Sequence, residues 1–136
     1  MALHHINEIL NIEAHGIRQD IVNTARLLNI IIHYELKNEN MLSGLCKSTC
    51  RYVEKKRKLL QAEKIIFNFF GTVIPKFETG PSAKVQSEKI NAFIDLKKEI
   101  KPLSSLKKIF LEFDFISWVE SKIEGRSFVE MVKEKS

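Results

Sequence analysis

Two cysteines one helical turn apart, Cys46 and Cys50, and four histidines, His4, His5, His15 and His33, are where metal or nucleophilic chemistry would have to begin in this 136-residue chain. A structural zinc takes four ligands, and the cysteines have neither a second cysteine pair nor a nearby histidine to complete the set. Both thiols are expected in the core, because free cysteine is among the most buried residue types. His4, His5 and His15 lie in an N-terminal segment without the H-E-x-x-H spacing that sets two imidazoles on one helix face. Pairing His5 with Glu8 or Glu13 is unspecific, since any surface histidine finds such a neighbour. The five glycines are scattered and form no nucleophile elbow, phosphate loop or dinucleotide fingerprint. The expectation is no enzyme, no catalytic residue, no metal site and no cofactor.

Binding is the remaining class of function. Lys and Arg outnumber Asp and Glu by 22 to 17, for a formal charge of +5. That excess permits an anionic partner without demanding one. It concentrates in CRYVEKKRKLL, Cys50 to Leu60, where five cations surround one acid. On a helix, Lys47, Lys55 and Lys58 fall within about 40° of Arg51, while Leu42, Leu45, Cys46, Thr49, Val53 and Leu60 share the other side. Lys47, Arg51, Lys55 and Lys58 thus form a cationic stripe, the candidate surface for an anionic partner. It carries the alternative reading, a nucleic-acid-binding helical domain. Lys56 and Arg57 fall toward the apolar side and are expected to reach around its edge on their aliphatic stems.

The aromatic residues Phe110, Phe113, Phe115, Trp118 and Phe128 raise the question of base stacking. A stacking platform needs rings exposed among cations. Here Glu112, Asp114 and Glu120 interrupt the cluster, and Ile109, Leu111, Ile116 and Val119 are interleaved with it. A packed core is the expectation, with a protein partner or second subunit covering any ring that stays exposed.

Helices must position these groups, because apolar residues recur at helical spacing almost throughout and no segment alternates like a strand. A short first helix is expected over Leu3 to Ala14, ending before Gly16. Asp20 can cap a second running to about Lys37, with the apolar stripe Ile21, Ala25, Leu28, Ile32 and Leu36. Asn38-Glu39-Asn40 makes a short polar turn, so a third helix from about Met41 to Lys58 returns antiparallel as a hairpin. A fourth, about Leu60 to Ile74, carries Ile65, Ile66, Phe67, Phe69, Phe70, Val73 and Ile74 over more than half its circumference and must be sandwiched. Pro75 ends it, and the linker chemistry of Gly80-Pro81 predicts a mobile loop over 75–86. A helix from about Ser87, with Glu88 and Glu99 on it, presents Ile90, Phe93, Ile94, Leu96 and Ile100 before Pro102. One or two more helices reach Glu124, with Asp114 a candidate cap. Gly125 breaks the chain, and a final turn or two covers Phe128 to Val132.

The run TARLLNIIIHYELKNENMLSGLCKSTCRYVEKKRKL, Thr24 to Leu59, resembles the helix-turn-helix unit of degenerate tetratricopeptide-repeat-like proteins of bacteria. FDFISWVESKIEGRSFVEMVKEK, Phe113 to Lys135, is similar to the C-terminal tail of larger uncharacterised members. Lys37 stands where such hairpins usually place a turn glycine, and Met41 where a small residue lets the helices approach, with Gly44 one turn later. The resemblance implies stacked helical hairpins and a protein-interaction role, with no activity attached. In such proteins the first helix of a hairpin lines the concave groove. The face opposite the Leu28 stripe, Asn23, Arg26, Ile30, His33 and Lys37 with Tyr34 at its flank, is accordingly the expected peptide-binding surface.

The expected fold is all-α: antiparallel hairpins in a right-handed repeat-like stack, or a compact bundle of about five to six helices. At this length one domain over residues 1–136 is the default, divided into hairpins (1–74), loop (75–86) and C-terminal helices (87–136). The N-terminus lacks the basic, apolar and small-residue regions of a secretory signal, and no run approaches the ~20 apolar residues of a membrane span. The expected protein is a cytoplasmic, noncatalytic scaffold or adaptor binding a protein or peptide, with self-association open, nucleic acid second and no membrane.

Overall fold

The computed structural model describes residues 18–77 and 82–135, and every regular element among them is helical. In chain order these are α1 (Gln19–Glu35), α2 (Glu39–Lys56) and α3 (Gln61–Asn68), the last running into a π-helical segment (Phe69–Val73) and a 3-10 turn (Ile74–Lys76). There follow α4 (Ala83–Ile100), α5 (Ser105–Phe110), α6 (Phe115–Glu124) and α7 (Phe128–Lys135). The all-α expectation holds, with seven α-helices among the described residues. The helix expected over Leu3 to Ala14, with His4, His5 and His15, lies outside them.

The α1–α2 hairpin forms where the sequence places it, closed by a well-defined backbone motif. At the end of α1 the Lys37 N–H donates to the Tyr34 carbonyl at 3.0 Å and the Asn38 N–H to the His33 carbonyl at 3.0 Å. This is the Schellman pattern, which satisfies carbonyls the helix leaves open and requires a left-handed residue between them. Lys37 is that residue, at φ 63°. Gly125, at φ 67°, ends α6 in the same backbone region with a conformation its missing Cβ makes easy.

α3 approaches α2 most closely at the π segment. A Cβ on Gly71 would lie 3.1 Å from Cys46 Cβ, so only glycine fits there without displacement. Gly44, expected to provide the close approach, instead faces open space with nothing within 4 Å. The π segment also sends Phe70 and Ile74 fully inward while Phe69 and Val73 line its other side.

The linker expected over 75–86 is shorter than its composition suggests. Ala83 to Gln86 already belong to α4, because Val85 is buried and extends the apolar row Phe93, Leu96 and Ile100 by two turns. Residues 78–81 lie outside the described residues. Ile90, expected in that row, is exposed. α6 begins at Asp114, whose carboxylate accepts the Ser117 N–H at 3.0 Å, as expected of a cap.

One core joins both halves of the chain, drawing Leu27, Ile30 and Ile31 from α1, Leu42 and Val53 from α2, Phe70 and Ile74 from the α3 continuation, Phe93 and Ile100 from α4, and Phe110, Phe115 and Trp118 from α5 and α6. The aromatic cluster is core, as expected; Phe113 and Phe128 stack on each other at 5.4 Å, half-buried at its edge. Polar bonds close the joints: the Thr24 hydroxyl donates to the Ile109 carbonyl at 2.7 Å, and the Ser105 hydroxyl accepts the Ala62 N–H at 3.3 Å. Between α4, α6 and α7, Glu120 binds Lys97 at 2.8 Å and also Lys135.

Two measurements test these joints. Lys37→Gly is expected to raise stability by about 1 kcal/mol, since a Cβ disfavours the left-handed region. The readout is the denaturant midpoint, with Lys37→Ala unmoved; no gain for glycine contradicts the turn geometry. Burial alone would raise the Glu120 pKa, but the hydrogen bonds and charges of Lys135 and Lys97 outweigh it and hold the carboxyl below its ordinary 4.5. A lowered folded pKa contributes stability above the unfolded value and loses it as pH falls through the folded one. Glu120→Gln should therefore destabilise by about 1 kcal/mol at neutral pH and converge with wild type in acid. A difference constant with pH would contradict this assignment.

Candidate partner-binding surfaces

The row expected to line a peptide groove is not an open surface in this fold. Asn23 and Ile30 are buried at 4% and 1% exposure, and Tyr34 sits at an aromatic junction with Phe70, Phe93 and Trp118 all within 6 Å of its ring centre. Burial, with Glu39 and Glu35 nearby, pushes the Tyr34 phenol up to about 12. Arg26 stacks 3.7 Å over the Tyr52 ring, and His33 Nδ1 lies 3.1 Å from the Asn38 amide nitrogen. Of the six, Lys37 alone is exposed. The physical reason is that α1 is apolar on both sides. Leu27, Ile30 and Ile31 take the core, leaving Ile21, Leu28 and Ile32 half-buried and Leu36 exposed.

Of the expected cationic stripe, Lys47, Arg51 and Lys55 lie on α2, whereas Lys58 falls beyond it, because the helix ends at Lys56 and Arg57 is extended. Lys47, Arg51, Lys55 and Lys58 are all exposed, and among the described residues none makes an ion pair. Leu42, Cys46, Thr49 and Val53 are buried opposite them. The two other cations of CRYVEKKRKLL are used by the fold. Lys56 Nζ lies 5.4 Å above the Tyr52 ring. The Arg57 guanidinium grips Glu63 through two bonds of 2.7 and 2.9 Å, and Glu63 also accepts the Leu60 N–H at 2.8 Å. Glu63 is completely buried, and its hydrogen bonds raise Arg57 above the ordinary guanidinium range. This clamp over the α2–α3 joint escaped the sequence reading. Its signal was Glu63 in the first turn of a helix, six residues after an arginine on the apolar side.

The cysteines are both free thiols. Cys46 is buried as expected and its pKa is pushed up to about 12 by burial, with Cys50 adding to it. Cys50 is only half-buried, and burial together with a 3.2 Å bond to the Glu54 carboxylate pushes it up to about 11. Both stay protonated near neutral pH, where a nucleophilic cysteine needs the thiolate. Among the described residues, no three His, Cys, Asp or Glu side chains come together in a way that could hold a metal, and no helix is long and apolar enough to cross a membrane.

A groove of about 570 Å³ between the α3 continuation and α4 was not foreseen. Its floor is apolar: Ile65, Phe69, Val73 and Phe77 from one wall, Ala92 and Leu96 from the other. Its rim carries Glu88, Asp95 and Glu99 from α4, against the single cation Lys64, with Asn68 and Asn91 between. The three carboxylates are exposed and make no ion pair among the described residues. Their positions i, i+7 and i+11 place them on one helix face, a pattern already contained in the helix expected from Ser87. On the other flank of α4, Ile94, Pro102 and Ile123 form a shallower recess of about 460 Å³ edged by Lys97, Lys98 and Lys101.

These features define an all-α helical bundle with exposed faces of opposite charge. Comparison with known proteins finds no family model, no curated protein and no solved structure that matches the chain.

Arg57→Ala should lower stability by about 3 kcal/mol, because it strands a buried carboxylate. Adding Glu63→Gln should recover part of that loss, as chemical denaturation of the three variants would show. A double variant weaker than Arg57→Ala would mean the charge is not the source of the loss.

Proposed function

We propose that the chain is a noncatalytic protein-interaction module that takes a segment of a partner protein in the groove between the α3 continuation and α4. The observation that carries this is the groove's construction: six apolar side chains on the floor, within reach of unpaired polar groups on the rim. Its volume of about 570 Å³ is within the usual range of ligand clefts, and an apolar floor with a polar rim is the common anatomy of an interaction site. The hairpin's resemblance to tetratricopeptide-repeat-like proteins supports the same reading. A cytoplasmic setting belongs to the proposal, since both cysteines are free thiols.

The nucleic-acid reading has one observation in its favour, the four exposed cations on and just beyond α2 that make no ion pair among the described residues. Four phosphate contacts would make affinity fall steeply with salt, at a log-log slope of about −3.6 on duplex DNA.

The deciding experiment is a pull-down from the native host with the full chain as bait, repeated after nuclease treatment and with two variants. Ala92→Arg fills the groove from a half-buried position on α4; Lys47→Glu with Arg51→Glu and Lys55→Glu inverts the stripe. The expected result is one protein partner that survives nuclease and stripe inversion and disappears with Ala92→Arg. Capture that depends on the stripe, or vanishes with nuclease, would reverse the choice.

A further inference from the structure

Resting on the interaction reading above, we infer that the groove's occupant is an amphipathic helix of another protein with Lys or Arg along one edge of its apolar face. Charge is the first argument. The chain carries +5 overall, yet this groove presents Glu88, Asp95 and Glu99 against one lysine. Two lysines of α4 are engaged elsewhere, Lys89 with Glu39 at 3.4 Å and Lys97 with Glu120 at 2.8 Å, and the other two, Lys84 and Lys98, are exposed and lie outside the groove's lining. An acidic segment or a phosphate backbone would meet three uncompensated carboxylates, whereas a basic one would pair with them.

Shape is the second argument. Both walls are helices whose backbone groups are already bonded, so an extended peptide would find no edge on which to build a ladder. A helix satisfies its own backbone and needs only side-chain contacts. Glu88 to Glu99 spans eleven residues of α4, about 16 Å, which matches three turns of a partner. A partner lying along α4 would set apolar anchors at i, i+3 or i+4, and i+7 on the Ile65, Phe69 and Leu96 floor. Its cations, repeating at one- and two-turn spacing on the adjacent edge, would meet Asp95 and Glu99, and Glu88.

Two of this chain's own segments fall short of that description. MALHHINEILNIEA at the N-terminus contains no Lys or Arg. The stripe on α2 has the cations, but Gly44 and Ser48 beside Lys47 and Arg51 offer no apolar anchor. Docked through that stripe, a second copy would match the rim and leave the floor empty.

The test uses the full chain and three 18-residue helical peptides with one shared leucine pattern, whose flanking edge carries Lys, Gln or Glu, followed by fluorescence anisotropy at fixed salt. The lysine peptide should bind about tenfold tighter than the glutamine peptide and the glutamate peptide more weakly still. Glu88→Gln, Asp95→Gln and Glu99→Gln together, all at exposed positions, should erase the lysine advantage and leave the glutamine peptide unchanged; Ala92→Arg should abolish binding of all three. Equal binding of lysine and glutamine peptides overturns the basic-helix inference and leaves the interaction reading standing. No binding by any peptide, with native capture still lost in Ala92→Arg, does the same. No peptide binding together with native capture that ignores Ala92→Arg removes both. Concentration-dependent mass abolished by Ala92→Arg would put a second copy in the groove and overturn the inference.

Discussion

The indole of Trp118 is the point on which the rest of this fold turns. A ring buried to 3% exposure brings its N–H with it, and an unpaired donor there would be costly. Glu35, the last residue of α1, accepts that N–H at 2.7 Å and also binds Lys122 one turn further along α6. This fixes how α6 lies across the hairpin. Tyr34, Phe70 and Phe93 then close around the indole at 5.8 to 6.0 Å in edge and tilted arrangements, so α1, the π segment, α4 and α6 meet at one ring. Phe115 and Phe110 continue the stack toward α5.

Around that junction, charge is sorted by which side of a helix the core leaves exposed. α4 lies between the groove and α6, and its lysines at 89 and 97 are spent on Glu39 and Glu120, which hold it to the hairpin and to α6. Its acids at 88, 95 and 99 are left facing the groove. α2 shows the converse: Arg57 turns into the α3 joint to neutralise Glu63, while the stripe cations stay in water. A mildly basic chain thereby acquires an acidic face on α4 and a cationic face on α2, which its net charge does not reveal.

Much of this was legible in the sequence, and the failures share a cause. The hairpin, the Asp114 cap, the Gly125 stop, the buried aromatic cluster and the α2 stripe all followed from local chemistry, where one turn, one cap or one polar face decides the outcome. The face of α1 did not. NIIIHYE is apolar around the helix, so periodicity cannot choose between the Leu28 and Ile30 sides; packing against α2 and α5 chooses, and that is tertiary information. The α4 start was misplaced because Gly80-Pro81 advertised a break that ends sooner than its composition implied, and the burial of Val85 lengthens the helix by a turn. Arg57 looked like one more surface cation, since nothing local says that a glutamate six residues on will be buried beneath it.

The groove inherits its shape from the core. The π segment separates Phe70 and Ile74, which enter the core completely, from Phe69 and Val73, which face the groove. Phe69 serves both, packing against Phe70 at 5.1 Å and Phe93 at 4.9 Å while forming part of the floor. Leu96 does likewise from α4, buried at 3% yet lining the groove. Gly71 lets this wall sit against Cys46, so the floor is backed by α2. If the groove takes a partner as proposed, walls that the fold has already immobilised need little further ordering, and the entropy lost on binding falls mainly on the partner. The floor cannot deepen without disturbing the aromatic junction, so under that proposal selectivity would come from the rim, where the carboxylates are exposed.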